Sequence, residues 1–471
     1  MKNINLKLLF VAFCSLVSIS HCYGQLRLPN IFSDHMVLQR EVDAKIWGWA
    51  KAGSHIKIHG SWMQDTIGIT TDYNGKWSGK IKTIGAGGPY SISIQSGDEK
   101  LTISNVLLGD VFLCSGQSNM EWGGDQGLKE IMDELPNAYN SNIRLLQVNR
   151  NGASTPQENI SNNWSTLTPE SLKPFSAIGY FLAKEINFEI GVPIGIINAS
   201  WGGTSAEVWT PEQVIQVDKE LYELSKQQIE NPYRPHNNGV LWNSMISPLV
   251  GFPLKALFWY QGESNVSTWW GYDKLMKAMV GSWRSAWEEK MPFYFVQIAP
   301  FEYNNNIPKA ALLREQQNKT ALELPNSGMV VTTDLVDNIK DIHPSQKKEV
   351  AVRLSKIALA ELYGKPMVDY KSPIYNGYKV VGNKMEISFH HLNGNLVIKG
   401  KQLDDIYICS EDRVFHKAKS KVIKNKLIVY SEDISNPVAV RFGFTEISMP
   451  NLFNENGLPI APFRTDNWEV Q

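Results

Sequence analysis

The chain has little cysteine. Of four in 471 residues, Cys14 and Cys22 lie near the amino terminus, which leaves Cys114 and Cys409 for the body of the protein. Two cysteines roughly three hundred residues apart do not make a disulfide framework. No Cys-x-x-Cys or Cys/His spacing offers a zinc site, and no metal or other cofactor is expected. A bridge between Cys114 and Cys409 is permitted and not required. Net charge is also nearly absent: 46 basic side chains stand against 47 acidic ones, for a formal charge of −1. With the signs interspersed, this argues against nucleic acid or an anionic membrane as the main partner. Internal repeats and low-complexity segments are missing. The longest apolar run, Leu8 to Ile19, is too short for a permanent membrane anchor.

That run, preceded by Lys2 and Lys7, instead reads as a secretory signal over residues 1–24. Gln25 then becomes the first mature residue, in a secreted or periplasmic protein. The remainder separates by pattern into three regions. Residues 25–105 carry short alternating runs (Ala44 to Trp49, Ile56 to Ile58, Lys76 to Ile81, Tyr90 to Ile94) punctuated by Asn74-Gly75 and Gly87-Gly88-Pro89. Such spacing predicts a small β-sandwich. In residues 106–365, continuous apolar strands (Val111 to Leu113, Ile194 to Ile197, Leu254 to Tyr260, Pro292 to Ile298, Met329 to Thr333) alternate with helical stretches. The clearest helices are Asp273 to Trp287 and Pro344 to Leu362. Buried strands alternating with helices predict an α/β fold, a parallel sheet covered on both faces. Residues 366–471 return to strands, with Asn393-Gly394 as a turn signal between Lys384 to Phe389 and Leu396 to Ile398.

In an open α/β sheet, ligands bind beyond the carboxyl ends of the strands, and four polar motifs fall at such ends. They are Gly116-Gln117-Ser118-Asn119, Trp201-Gly202-Gly203-Thr204-Ser205, Gln261-Gly262-Glu263-Ser264-Asn265 and Asp341-Ile342-His343-Pro344. Ser118 offers a nucleophilic hydroxyl and His343 a general base, in a loop that Pro344 leads into a helix. Asp341 is placed to hold the imidazole tautomer. Gly203, with Gln261 or Asn265, offers N–H donors to a developing oxyanion. Met120 occupies the place of the second glycine of a Gly-x-Ser-x-Gly elbow, which disfavours an α/β-hydrolase. Trp122, Trp201, Trp269 and Trp270 adjoin these loops and are candidates either for sugar stacking or for packing. His236, on a polar loop, is a candidate for lining the cleft.

These motifs resemble those of the SGNH (GDSL-like) esterases, in particular the sialate O-acetylesterase group of carbohydrate esterases. The resemblance runs through Gly116 to Trp122, Trp201 to Thr204, Trp259 to Asn265 and Ile342 to Pro344, and covers most of the chain from about Asp34 to Leu362. It implies a three-layer α/β/α hydrolase domain flanked here by small β domains. It also implies removal of acetyl groups from sugar hydroxyls through a serine acyl-enzyme, without a metal. The wider pattern places an aspartate three residues before the histidine, where this chain has Lys340; Asp341 is the nearest acid. Asp334 and Asp337 lie upstream, and the resemblance offers Glu263 as an alternative acid. Sialic acid esters are the leading substrate expected, with acetylxylan or another plant-glycan ester as the alternative, since no sialate-binding arginine is evident. Arg314 reads as a structural ion pair. A non-catalytic carbohydrate-binding protein is the alternative of a different class.

Overall fold

The computed structural model describes residues 24–470; the segment read as a secretory signal lies outside the described residues except for Gly24. At its centre is a sheet of seven strands: β1 (Glu99–Gly116), β2 (Asn140–Gln147), β3 (Ser165–Leu167), β4 (Ile194–Ser200), β5 (Ala256–Tyr260), β6 (Phe293–Val296) and β7 (Ser327–Val330). Their spatial order is β7-β6-β5-β1-β4-β2-β3. All neighbours are parallel except β2 and β3, which are antiparallel.

The alternation of side chains along these strands builds two separate cores. Val111, Leu113, Leu257 and Trp259 point to one face, where α2 (Tyr272–Trp287) and α3 (Lys309–Glu323) cover them with Met276, Met279, Trp283 and Leu313. Phe112, Cys114, Phe258 and Tyr260 point to the other. There α1 (Ala177–Ile190) and α4 (Lys347–Tyr363) cover them with Ile178, Phe181, Leu354 and Ile357. Both faces of each strand are thus apolar, which explains the uninterrupted hydrophobic runs in the sequence. The fold is the expected three-layer α/β/α arrangement.

The 18-residue β1 serves two sheets. Its amino-terminal half pairs antiparallel with Gly87–Ser96 in the amino-terminal β region, and its carboxyl-terminal half is the centre of the seven-stranded sheet. It therefore runs straight through the position 105/106 at which the sequence pattern changes. The strands Asp43–Trp49 and Lys76–Lys82 pair in a second small sheet. At the carboxyl terminus, antiparallel sheets enclose their own core of Met385, Ile387, Ile406, Leu427 and Phe442. Cys409 is buried in this terminal region and Cys114 in the core beside the central sheet, and both are free thiols.

Two local expectations are corrected. Asn393-Gly394 does not join a hairpin: Leu396–Ile398 pairs with Leu452–Asn454, while the backbone N–H groups of Asn393 and Gly394 donate to the Asp369 carboxylate. The helix expected from Pro344 starts at Lys347. The intervening residues are held by Asp337, which accepts from Ser345 and from the Gln346 amide. Asp337 thereby closes the turn into the helix and is occupied there.

Candidate active site

The polypeptide reverses its course across the sheet beside β1, and the chemistry-bearing loops open at that crevice. The first turn after β1 depends on Gly116. Its φ is +131°, and a Cβ there would stand 2.2 Å from the carbonyl oxygen of Tyr260. Only glycine fits so close to the end of β5. Gln117 fastens the turn through its backbone N–H, which donates to Tyr260 O at 3.0 Å. Ser118 then opens the short helix Ser118–Glu121, with its hydroxyl held at the sheet's edge.

His343 meets it. Its Nε2 lies 2.9 Å from Ser118 Oγ, although 225 residues separate them. The imidazole stacks face to face on Trp122, with centroids 3.7 Å apart and planes inclined by 20°. This tryptophan, a candidate for stacking on sugar, is packed against the histidine. Burial and the nearby Lys347 cation lower the His343 pKa to about 4, against an opposing pull from Asp341. The ring is therefore neutral at physiological pH, with Nε2 able to act as an acceptor.

The candidate acids are placed very differently. Asp341 Oδ1 accepts the backbone N–H of His343 at 2.9 Å and stands 3.6 Å from its Nδ1, with 55% of the side chain exposed. It faces the imidazole without a tight hydrogen bond to it. Asp334 is spent on Arg353, in a two-pronged ion pair. Glu263 is buried, and its Oε1 accepts from the Asn119 carboxamide.

Asn119 is the junction of a network that the sequence motifs did not reveal. Its Nδ2 donates both to Glu263 and to the carbonyl of Ile342, the residue before His343, and its Oδ1 accepts from Lys347 Nζ. Lys347 is 1% exposed. Burial lowers its pKa to about 8, while Glu263 pulls the other way. Burial likewise raises the Glu263 pKa, against the pull of Asn119 and Lys347. Glu263 thus braces the histidine loop through Asn119, at a remove from the imidazole. The only sequence signal for Lys347 was its position four residues after His343, in the first turn of a helix.

The two amides expected at the oxyanion are occupied by the scaffold. Gln261 is fully buried: Nε2 donates to Thr204 O and Asn265 Oδ1, and Oε1 accepts from Tyr272 OH. Asn265 Nδ2 donates to the buried carboxylate of Glu207, and its Oδ1 accepts from Ala206 N. These contacts tie the loop after β5 to the loop after β4. The Gly202-Gly203 turn, by contrast, lies against the nucleophile: a Cβ at Gly202 would stand 3.0 Å from Ser118 Cβ. The Gly202 N–H donates to Glu121 Oε2 at 2.8 Å. Arg314 is structural, but not through the ion pair its helical setting suggested: it is buried and donates to the backbone carbonyl of Thr445, and among the described residues it forms no ion pair. His236 is partly exposed and faces Glu230 at 3.5 Å. Among the described residues, no cluster of three or more His, Cys, Asp or Glu side chains is disposed to hold a metal ion, and no helix is long and apolar enough to cross a membrane.

Comparison with known proteins points to carbohydrate acetylesterases along three routes. Residues 108–361 match the family described as carbohydrate esterase, sialic acid-specific acetylesterase. A carbohydrate acetylesterase from Xanthomonas citri superposes with a TM-score of 0.86 at 33% identity, covering 94% of this chain and all of that one. Sialate O-acetylesterase from Homo sapiens is 27% identical over 93% of this chain and 92% of its own length. The Rattus norvegicus enzyme is 29% identical over 74% of this chain and 76% of its own. The chain belongs to the sialic acid-specific acetylesterase family of carbohydrate esterases and is an enzyme that hydrolyses acetyl esters.

Proposed function

We propose that the protein is an exported sialate O-acetylesterase that works through an acyl-enzyme on Ser118. The observation that carries the mechanism is the 2.9 Å approach of His343 Nε2 to Ser118 Oγ. A neutral imidazole at that distance takes the hydroxyl proton as Oγ attacks the acetyl carbonyl. The negative charge that develops on the carbonyl oxygen is met by backbone N–H groups. Gly203 beside the nucleophile is one candidate. The other is Ser118 itself, whose N–H opens a helix and so has no acceptor within it. Gln261 and Asn265 support this region by fixing its loops. The imidazolium returns its proton to the sugar oxygen as the ester C–O bond breaks, which leaves acetyl on Ser118. A water deprotonated by His343 then attacks, and acetate departs with Ser118 restored.

The imidazolium formed midway faces Asp341 Oδ1 across 3.6 Å, and Trp122 fixes the plane of the ring. Replacing Trp122 with leucine is therefore expected to lower kcat by roughly tenfold to a hundredfold with little change in KM, because a misaimed Nε2 loses the attack geometry. Steady-state kinetics on 4-nitrophenyl acetate check this, and an unaltered kcat would assign Trp122 to packing alone.

The pH dependence follows from the same base. With the His343 pKa lowered to about 4, the neutral form that accepts the proton predominates above that pH. The free enzyme's kcat/KM is expected to fall as pH decreases through about 4. In Lys347→Met the repelling cation is gone, so the acid limb should move to higher pH. A limb that stays in place would detach Lys347 from the base.

The substrate is tested by acetate release from O-acetylated sialic acid and from acetylated xylan, each with wild type and Ser118→Ala. Serine-dependent release that favours the sialate supports the reading, and release confined to xylan overturns it. Export is supported by the basic and apolar character of residues 2–19, and amino-terminal sequencing of the protein from the extracytoplasmic fraction should begin at Gln25.

A further inference from the structure

We infer that Arg150 and Arg234 form the subsite for the carboxylate of an acidic acetylated sugar. The inference deepens the sialate reading and rests on it. Both arginines are connected to the nucleophile through the Gly202-Gly203 turn. Gly202 lies against Ser118, and its N–H is held by Glu121 Oε2; the other oxygen of that carboxylate, Oε1, sits 2.5 Å from Arg150 Nε. Gly203 carries Arg234 over it: a Cβ at Gly203 would stand 2.7 Å from Arg234 Nε. Both guanidinium groups therefore lie beside the turn that borders the reaction centre.

The charges at this lip do not cancel. Among the described residues Glu121 is the carboxylate paired with Arg150, and both Arg150 and Arg234 act on it electrostatically. Two cations against one anion leave a net positive site. Its parts also differ in exposure: Glu121 is 12% exposed and Arg150 51% exposed, so the anion is the more buried member of that pair. Desolvation weighs against the Glu121 charge, which further favours an outside carboxylate as a partner for the guanidinium groups. Arg234 is partly buried and is pinned by Nη1, which donates to Tyr233 O at 3.1 Å. A planar guanidinium held in this way offers the paired N–H geometry that a carboxylate takes. His236, two residues further along the same loop, faces Glu230 and is not needed for this contact. A neutral acetylated xylose would leave the excess of the two cations over the Glu121 carboxylate uncompensated; a sialic acid brings a second anion.

The test is a cycle between protein and substrate. O-acetylated N-acetylneuraminic acid and its carboxylate methyl ester carry the same acetyl group and differ in one negative charge. Wild type is expected to prefer the free acid by about tenfold in kcat/KM, expressed mainly in KM. Arg150→Ala and Arg234→Ala should each reduce that preference, and the double variant should bring it close to one. Using the ratio removes any general loss that either substitution causes to Ser118 chemistry. A wild-type ratio near one, or a ratio that survives in the double variant, overturns the assignment while leaving the sialate reading intact. If wild type releases no acetate from either sialate form but does so from acetylated xylan, the sialate reading falls and the subsite falls with it.

Discussion

Ser118→Ala is expected to lower kcat for acetate release by about 10⁴-fold or more while leaving the thermal midpoint within a few degrees of wild type. The two halves of that expectation have separate origins. The hydroxyl's partner His343 is itself partly exposed, so removing the hydroxyl strands no fully buried group and little packing is lost. Chemistry, by contrast, loses its nucleophile and must proceed by direct attack of water, aided only by the backbone donors and by substrate binding. His343→Ala should lose a similar amount, and the double variant little more than either single one, because the two groups act as a unit. Asp341→Ala should fall well short of this, at roughly tenfold. A half-exposed carboxylate 3.6 Å from Nδ1 is screened by solvent and only modestly favours the imidazolium. Acetate release together with circular dichroism melts separates these cases. Turnover of Ser118→Ala within tenfold of wild type would remove that residue from the mechanism.

The architecture was legible because the α/β region obeys simple periodicities. Continuous apolar runs such as Leu257 to Tyr260 announce strands buried on both faces, and all of these residues lie in the two cores. The place of Ser118 and His343 at strand ends was legible for a related reason, since polar motifs after buried strands have few structural uses. What the sequence did not disclose was how side chains share partners. Gln261 and Asn265 are amides in the right motif, yet whether an amide faces a cleft or a neighbouring loop depends on what that loop presents. Here Thr204 O and Glu207 claim them. Glu263 was visible as a possible acid, but its actual partner, Asn119, arrives from another strand end.

The strand that crosses position 105/106 teaches the same lesson about boundaries. Composition changes there because β1 passes from a half-exposed sheet to one buried on both sides: its exposure alternates as far as Asn105 and vanishes from Val106 onward. A change in burial pattern is what sequence periodicity reports, and here the backbone continues through it without a break.

The largest expected effect on stability belongs to Lys347. Lys347→Met is expected to destabilise the fold by about 3–5 kcal/mol, the usual consequence of removing one member of a buried charged pair. The cation donates to Asn119 Oδ1, and Asn119 donates to Glu263. Without the cation, a buried carboxylate and a buried carbonyl oxygen lose their positive neighbour. The Glu263 pKa, already raised by burial, must then rise further. A carboxyl with a raised pKa in the fold keeps its proton there more readily than in the unfolded chain. The stability it supports is therefore present at acid pH and lost as pH rises through the folded-state value. The variant should accordingly be relatively more stable in acid than at neutral pH. Lys347→Met combined with Glu263→Gln should recover much of the loss, since glutamine keeps an oxygen for Asn119 and carries no charge to strand. Urea unfolding of the four proteins at neutral and acidic pH measures the coupling. Strictly additive losses would mean that Lys347 and Glu263 stabilise the site independently, and that their charges are not coupled across Asn119.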